Sequence, residues 1–246
     1  MSLPEQPESD RRRAPQENAG ARRLGRAGFV GVLGAGVATL FFGDTVARYA
    51  GKLTGPLSSA SGFSNLLPSG GWRIYTVADT MPKFHPATWR LEVGGLASHP
   101  YTLSYDELLA LPKSQQVSDF HCVTGWVVKN VSWGGVRLQH LLDRASPMPQ
   151  AHALHFVSAE HPYDDYLELG QATLPDVMLA YEMNGKPLPR EHGAPVRVVI
   201  PDMYGYKNVK WVARIDLVAK SGNGYWELDG YDKNAWVGHS NGYGSA

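Results

Sequence analysis

Residues 179–200 read LAYEMNGKPLPREHGAPVRVVI, and this stretch decides the fold class. Its segment from Ala180 to Met183 is predicted as a strand and ends at Asn184-Gly185, a pair that favours a tight turn. The run from Val196 to Ile200 is β-branched and is closed by Pro201, which is typical of a buried strand. Strand signals separated by short turns continue on both sides. The sequence therefore predicts an α+β domain that is mostly β.

Further elements follow outward from this stretch. Alternating polarity bounded by turn residues predicts strands over residues 72–77, 89–93, 117–128, 153–158 and 209–218. A capping pattern or helical spacing of apolar residues predicts short helices over residues 104–111, 136–144 and 174–179. The strand over residues 117–128 is expected to bend at Gly125, and a polar loop is expected over residues 161–165.

Composition and charge narrow the class of protein. Apolar residues make up 43% of the 246 residues and charged residues 19%, which is typical of a folded chain. Lys plus Arg and Asp plus Glu are balanced at 23 each, so no overall field favours a nucleic-acid partner. The single cysteine, Cys122, excludes an intramolecular disulfide, a Cys-rich zinc or iron–sulfur site and a covalent haem-attachment motif.

The first fifty residues differ from the rest of the chain. A polar, disordered segment is expected first, and Arg22-Arg23 then precedes an uncharged run over residues 27–43. This pattern predicts a twin-arginine-like export signal that is either cleaved or kept as a membrane anchor. An amphipathic core helix is the alternative, which the absence of a polar face disfavours. We expect a linker over residues 51–71, then one periplasmic or otherwise extracytoplasmic domain over residues 72–246.

The only thiol lies in the segment Asp119 to Trp126, between an imidazole and an indole. Cys122 in this setting is either a thiolate ligand or nucleophile, or a packed cysteine beside a satisfied histidine. The segment alone does not choose between these readings.

A second feature is a group of cationic and imidazole side chains near one strand pair: His192, Arg197, Lys207 and Lys210. These donors could bind a phosphate or another anion, with a solvated basic face as the alternative. The sequence has no spaced ligand set for zinc or calcium and no Gly-rich phosphate loop before a helix. A metal held by Cys122 alone would need its other ligands from an organic cofactor.

Several motifs, in this order, resemble the molybdopterin-binding domain of sulfite oxidases: residues 179–185, Pro187 to Arg190, His192-Gly193 with Pro195 and Arg197, and Val209 to Trp211. The similarity spans roughly residues 72–217. It implies a sulfite-oxidase-type domain around a pyranopterin that carries a dithiolene and a phosphate. By its place in the motif, Cys122 would be the protein ligand to molybdenum, for which sulfur is a suitable donor.

The resemblance also implies cofactor contacts beyond Cys122. The matching positions are His192, Arg197, Asn208, Val209 and Lys210, with Arg73, Tyr75, Thr76 and Ser158 as further candidates. Arg197 and Lys210 fit the need for charge-assisted hydrogen bonds to the phosphate.

The sequence departs from sulfite oxidases after the cysteine. Those enzymes have an Asn-Arg-Arg type sequence that serves the anionic substrate, whereas this chain has Val123 to Trp126. The chain also stops near the point where they continue into an immunoglobulin-like dimerisation domain. Both features are closer to the exported bacterial branch that includes the periplasmic methionine sulfoxide reductases. That branch implies a monomer with a small-molecule substrate and a separate electron partner, either a membrane haem protein or a cytochrome.

The expected activity is two-electron oxygen-atom transfer with molybdenum cycling between Mo(VI) and Mo(IV). Cys122 is the expected catalytic ligand, and Tyr163, Tyr166 and His161 are candidate pocket residues. The alternatives are a sulfite dehydrogenase or oxidase and a non-catalytic molybdopterin-binding protein. A thiol hydrolase using Cys122 and His121 is disfavoured, because adjacent residues on a strand point to opposite faces.

Overall fold

The computed structural model describes residues 71–239 of the chain. The predicted disordered N-terminus, the export signal or anchor and the linker up to residue 70 lie outside the described residues and stay predictions. No helix within residues 71–239 is both long and apolar enough to cross a membrane.

Strands dominate this part of the chain, and they form two five-stranded sheets. The first sheet has the order β2-β1-β10-β5-β6, and the second has the order β3-β4-β7-β8 with β9 paired to β7. The strands are β1 (Arg90–Gly95), β2 (Tyr101–Ser104), β3 (Ser114–His121), β4 (Val127–Arg137), β5 (Ala153–Ser158), β6 (Asp164–Glu168), β7 (Met178–Met183), β8 (Lys186–Pro187), β9 (Arg197–Val199) and β10 (Val212–Val218).

Helices are short and connect the strands. The α-helices are α1 (Tyr105–Leu109), α2 (Leu138–Ala145) and α3 (Leu169–Ala172), and 3-10 turns lie at Arg190–His192, Gly205–Lys207 and Glu227–Asp229. The predicted mostly β class is therefore confirmed.

Strand β10 lies at the centre of the first sheet. It pairs parallel to β1 and antiparallel to β5. Ile215 and Leu217 are buried while Arg214 is exposed, so the predicted alternation is confirmed. The strand begins at Val212 rather than at residue 209, because Trp211 has a positive φ of 51°, which is incompatible with an extended strand.

Two local predictions are confirmed in detail. Asn184 and Gly185 both have positive φ, 53° and 73°, as a tight turn between β7 and β8 requires. Ser104 caps α1, and the Glu107 side chain bonds back to the Ser104 backbone N–H at 2.8 Å.

The predicted helix over residues 174–179 is wrong. Met178 and Leu179 begin β7, in which the first four residues are all buried. An apolar run that is buried on both faces has the same pattern in a strand and in a helix, so its periodicity could not separate the two. The helix predicted over residues 136–144 begins only at Leu138, because the two residues before it complete β4.

The predicted strand over residues 117–128 is also corrected. It is the antiparallel pair β3 and β4, and the chain reverses between them at Cys122 to Trp126. Gly125 has a φ of 92°, which allows this reversal. Cys122 therefore lies in the turn rather than within a strand.

Residues 72–77 form no strand, contrary to prediction. Side chains satisfy the backbone of this segment instead. Lys210 donates from Nζ to the Tyr75 carbonyl oxygen at 2.5 Å, and the Val77 N–H donates to the Glu160 carboxylate at 2.9 Å. The segment is thus bound to the domain without sheet pairing.

The second sheet packs one face into an aromatic core. Trp133 of β4 is 1% exposed, and Trp72 of the N-terminal segment packs against the same buried cluster. The other buried members are Val131, Met178, Ala180, Met183, Leu188 and Val199. This core supports the side chains that surround Cys122.

Candidate active site

The turn between β3 and β4 holds Cys122 in a defined position. The Cys122 N–H donates to the Trp126 carbonyl oxygen at 3.0 Å, and the Gly125 N–H donates to the Cys122 carbonyl oxygen at 2.9 Å. The half-buried sulfur lies 3.2 Å from the Thr124 hydroxyl oxygen. The turn therefore presents one thiol with a hydroxyl beside it.

Burial raises the pKa of the Cys122 thiol above 9.0. Hydrogen bonding from Thr124, the charge of Arg73 and the Trp126 side chain oppose this effect. A thiol with a raised pKa is a poor nucleophile at neutral pH, which disfavours the hydrolase alternative. A coordinated metal ion, however, deprotonates a thiol outright, so the same residue remains suited to metal binding.

Arg197 is a buried cation close to this turn. Its guanidinium donates to the carbonyl oxygens of His192 and Asn208, both at 3.2 Å, and lies over the rings of Phe120 and Trp133 at 5.2 and 5.4 Å. It forms no ion pair with a carboxylate of residues 71–239. Burial lowers the pKa of Arg197 to about 10, and no ion pair within the described range offsets this effect.

Lys210 is a second cation without an ion-pair partner in the described range. Its ammonium group donates to the Tyr75 carbonyl oxygen and lies 4.0 Å from the centre of the Trp211 ring. Burial, together with the charge of Arg197, lowers the pKa of Lys210 to about 7 against the opposing effect of Glu160. An anion bound here would reverse that shift.

His192 lies between these two cations and the aromatic core. Its ring makes an edge contact with Trp72 at 4.8 Å between centroids. Burial and the charges of Arg197 and Lys210 lower the pKa of His192 to about 3. The imidazole is therefore neutral at physiological pH and can donate or accept a hydrogen bond without adding charge.

Gly193 lets the chain pass very close to Lys210. Its φ is 109°, and a Cβ at this position would lie 2.9 Å from the Cβ of Lys210. A side chain would therefore collide with the residue that carries the site's second cation.

The end of β5 joins the N-terminal segment to the Lys210 backbone. The Ser158 hydroxyl donates to the Lys210 carbonyl oxygen at 2.7 Å and accepts from the Glu160 N–H at 2.9 Å. The buried Glu160 carboxylate accepts from Thr76 and from the Val77 N–H. Ser158 and Glu160 thus hold the N-terminal segment at Thr76 and Val77 close to Lys210, which comes from near the C-terminal end of the domain.

Asn208 and Val209 have structural contacts here. The Asn208 amide oxygen accepts from the Ile200 N–H at 2.7 Å, and the Val209 carbonyl accepts from the Val198 N–H at 2.8 Å. Both residues are buried and fix the backbone that leads to Lys210.

Lys207 does not belong to the cation group, contrary to the sequence prediction. Its ammonium group forms buried ion pairs with Asp165 at 2.5 Å and Glu227 at 2.7 Å. Two carboxylates already neutralise it, so it is not free to bind an anion. No local sequence pattern indicates these partners, which lie 42 and 20 positions away.

The three candidate pocket residues are separated by the fold. Tyr163 donates to the Tyr206 carbonyl oxygen at 2.5 Å, and its electrostatic coupling to Arg197 places it near the cation group. The ring of Tyr166 stacks on His155, 4.2 Å between centroids, on the face of β6 opposite the buried Asp165. His161 is exposed. These three assignments stay predictions.

Residues 78–226 match the family model described as the oxidoreductase molybdopterin binding domain. The chain belongs to this family. Because the matched domain binds molybdopterin, the predicted cofactor and the sulfite-oxidase-type fold are confirmed.

Individual relatives agree with this membership. The chain is 37% identical to the uncharacterised oxidoreductase YuiH of Bacillus subtilis, over 58% of this chain and 72% of that protein. It is 31% identical to the methionine-sulfoxide reductase catalytic subunit MsrP of Ralstonia nicotianae, over 58% of this chain and 47% of that protein. It is 34% identical to the mitochondrial sulfite oxidase of Drosophila melanogaster, over 61% and 31% respectively.

A solved structure shares the fold. The sulfane dehydrogenase SoxCD of Paracoccus pantotrophus superposes with a TM-score of 0.55 at 26% identity, covering 61% of this chain and 42% of that chain. The chain spans less than half the length of this structure and of the MsrP and sulfite oxidase relatives.

The described residues fit the family's cofactor. Arg197 and Lys210 have no ion-pair partner within residues 71–239, so their donors can serve a phosphate. Gly193 leaves space where a side chain would stand, and Cys122 offers a sulfur ligand from the neighbouring turn. The individual contacts to the cofactor stay predictions.

Sequence reasoning missed the contributions of Glu160 and Trp72 to this site. Glu160 binds backbone N–H groups more than 80 positions away, which no local pattern reveals. Trp72 was assigned to a strand, but it lies between His192 and the rings of Phe120 and Trp126.

Proposed function

We propose that the protein reduces a small, neutral sulfoxide by two-electron oxygen-atom transfer. The bound molybdenum cofactor supplies the oxygen-atom transfer chemistry. In this proposal Cys122 ligates the metal, Arg197 and Lys210 bind the cofactor phosphate, and neutral His192 offers a hydrogen bond to the pterin. One relative is named as a methionine-sulfoxide reductase and another as a sulfite oxidase, so the candidate substrates are a sulfoxide and sulfite.

The uncharged turn around Cys122 is the observation that favours a neutral substrate over sulfite. The turn that presents Cys122 continues with Val123, Thr124, Gly125 and Trp126, none of which is charged. Among the described residues, the cation whose charge acts on the Cys122 thiol is Arg73, which is exposed and therefore screened by solvent. An anion such as sulfite must lose its hydration and needs cationic partners to compensate. A neutral sulfoxide has no such requirement.

Thr124 and the aromatic side chains suit a sulfoxide in chemical terms. The Thr124 hydroxyl, 3.2 Å from the Cys122 sulfur, is a polar but uncharged neighbour of the expected metal ligand. The rings of Tyr75 and Trp126, 6.5 Å apart between centroids, offer apolar surface for its alkyl groups. The protein thus supplies orientation and desolvation rather than charge.

Steady-state assays with two substrates test this proposal. We expect the molybdenum-loaded protein to oxidise reduced viologen dye when methionine sulfoxide or dimethyl sulfoxide is added. We expect little reduction of ferricyanide with sulfite. Cys122→Ser, loaded in the same cells, is the control and should lose turnover while keeping its fold.

The reverse result would contradict the proposal. Ferricyanide reduction with sulfite, without sulfoxide reduction, would favour the sulfite dehydrogenase alternative. Bound cofactor that exchanges electrons with neither substrate, and whose electron paramagnetic resonance spectrum is silent throughout reduction, would favour the non-catalytic alternative.

We also propose export in the folded state and electron supply by a separate protein. Arg22-Arg23 before the uncharged run supports the twin-arginine route. The Ralstonia relative is named as a catalytic subunit, which supports a partner in that case. Replacing both arginines by Lys should retain the protein in the cytoplasm, and unchanged export would contradict the route. Anchoring by residues 27–43, a monomeric state and a haem protein as electron partner stay predictions.

A further inference from the structure

The Trp126 side chain is partly buried beside the turn that holds Cys122. The turn hydrogen bond from the Cys122 N–H to the Trp126 carbonyl oxygen, at 3.0 Å, places the two residues opposite each other. Three rings surround the indole: Phe120 at 5.7 Å, Trp72 at 6.2 Å and Tyr75 at 6.5 Å between centroids. These contacts restrict rotation of the indole.

The indole nitrogen of Trp126 has no hydrogen-bond partner within residues 71–239, although it is buried. An indole N–H is only a donor, and a buried donor left unpaired destabilises the folded protein. Its aromatic neighbours offer no strong acceptor. The acceptor across the turn is the Cys122 sulfur, which accepts weakly as a thiol and strongly as a thiolate.

We infer that Trp126 donates its Nε1–H to the Cys122 thiolate when that thiolate ligates the metal, and so acts as a positioning residue for the ligand. This inference rests on the proposed role of Cys122. The hydroxyl of Thr124, at 3.2 Å, is the other donor to the same sulfur. The direction in which Trp126 shifts the pKa of the Cys122 thiol, downward, agrees with an N–H aimed at the sulfur.

Two donors on one sulfur have a definite electronic effect. Hydrogen bonds to a thiolate withdraw electron density that it would otherwise share with the metal. They stabilise the reduced, more electron-rich state and raise the reduction potential of the site. Removing the indole donor should therefore lower the molybdenum midpoint potential and change the Mo(V) electron paramagnetic resonance spectrum.

Two variants of the full-length loaded protein test the inference. Trp126→Phe removes the donor and part of the ring, and replacing Trp126 with 3-benzothienylalanine exchanges only the N–H for a sulfur of similar shape. Trp89→Phe is the matched control, because Trp89 packs against Phe84 and Tyr105 rather than around Cys122. The readouts are the midpoint potential, the Mo(V) spectrum and the molybdenum content.

We expect both Trp126 variants to shift the potential in the negative direction, with Trp89→Phe equal to the parent. If Trp126→Phe fails to fold, the benzothienyl variant decides, since it keeps the shape of the ring. An unchanged potential and spectrum at parental molybdenum content would overturn the inference and leave the sulfoxide reductase proposal standing. A parent protein that carries no molybdenum would overturn both.

Discussion

Replacing Lys210 with Met tests the claim that its buried charge is uncompensated until an anion binds. Burial lowers the pKa of Lys210 from 10.5 to about 7 in the cofactor-free protein. At about 1.4 kcal/mol per tenfold change in proton affinity, the charged ammonium costs the folded state roughly 5 kcal/mol at low pH. The variant loses the hydrogen bond to the Tyr75 carbonyl and the contact with the Trp211 ring, which offset roughly 2–3 kcal/mol of this.

We therefore expect Lys210→Met to raise the unfolding free energy of the cofactor-free protein by roughly 1–3 kcal/mol at pH 6.5. Between pH 7 and 10.5 the unfolded parent binds more protons at Lys210 than the folded parent does. The stability of the parent thus rises with pH across this window, and the advantage of the variant shrinks. In the loaded protein the cofactor phosphate compensates the ammonium charge, so the same substitution should destabilise the protein and lower its cofactor content.

Urea unfolding at pH 6.5 and 9.5 measures the change in unfolding free energy of the cofactor-free protein. The protein for this experiment is made in cells that cannot synthesise the cofactor. The exposed Lys186 of β8 provides a control, and Lys186→Met should change stability by less than about 0.5 kcal/mol at either pH. Equal destabilisation by Lys210→Met at both pH values, with and without cofactor, would refute the reasoning. Lys210 would then be a structural hydrogen-bond donor and no more.

Two further substitutions test other parts of the site. Gly193→Ala places a Cβ 2.9 Å from the Lys210 side chain at a φ of 109° and should lower both the melting temperature and the molybdenum content. Gly170→Ala, where a Cβ would meet open space, is its control, and equal behaviour of the two would contradict the close-approach argument. Lys207→Met leaves two buried carboxylates uncompensated and should cost about 3–5 kcal/mol in urea unfolding at pH 7. A loss below about 1 kcal/mol would contradict the argument that Lys207 compensates buried carboxylate charge.

The sequence could predict the parts of this fold that depend on local chemistry. The Asn184-Gly185 turn, the Ser104 cap and the alternation of β10 follow from backbone preferences and side-chain period, and all are observed. The buried strand β7 could not be separated from a helix, because all but one of its residues are buried and no polar face marks the period.

In the candidate site, too, the sequence predicts the residue types but not the contacts between distant residues. Its separate motifs pointed to one cofactor, and the fold brings Cys122, His192, Arg197 and Lys210 into one region through the Trp72 and Tyr75 contacts. The pairing of Lys207 with distant carboxylates could not be predicted, since each partner comes from a different element of the fold. Charge alone does not tell a free cation from a neutralised one.

X-ray absorption at the molybdenum edge of the purified, loaded protein tests the central claim most directly. We expect molybdenum in the protein, with sulfur ligation that loses one ligand in Cys122→Ser while the pterin content is retained. Protein that folds in cofactor-producing cells but carries no molybdenum would contradict it. So would an unchanged number of sulfur ligands in the serine variant, because Cys122 would then not be bound to the metal.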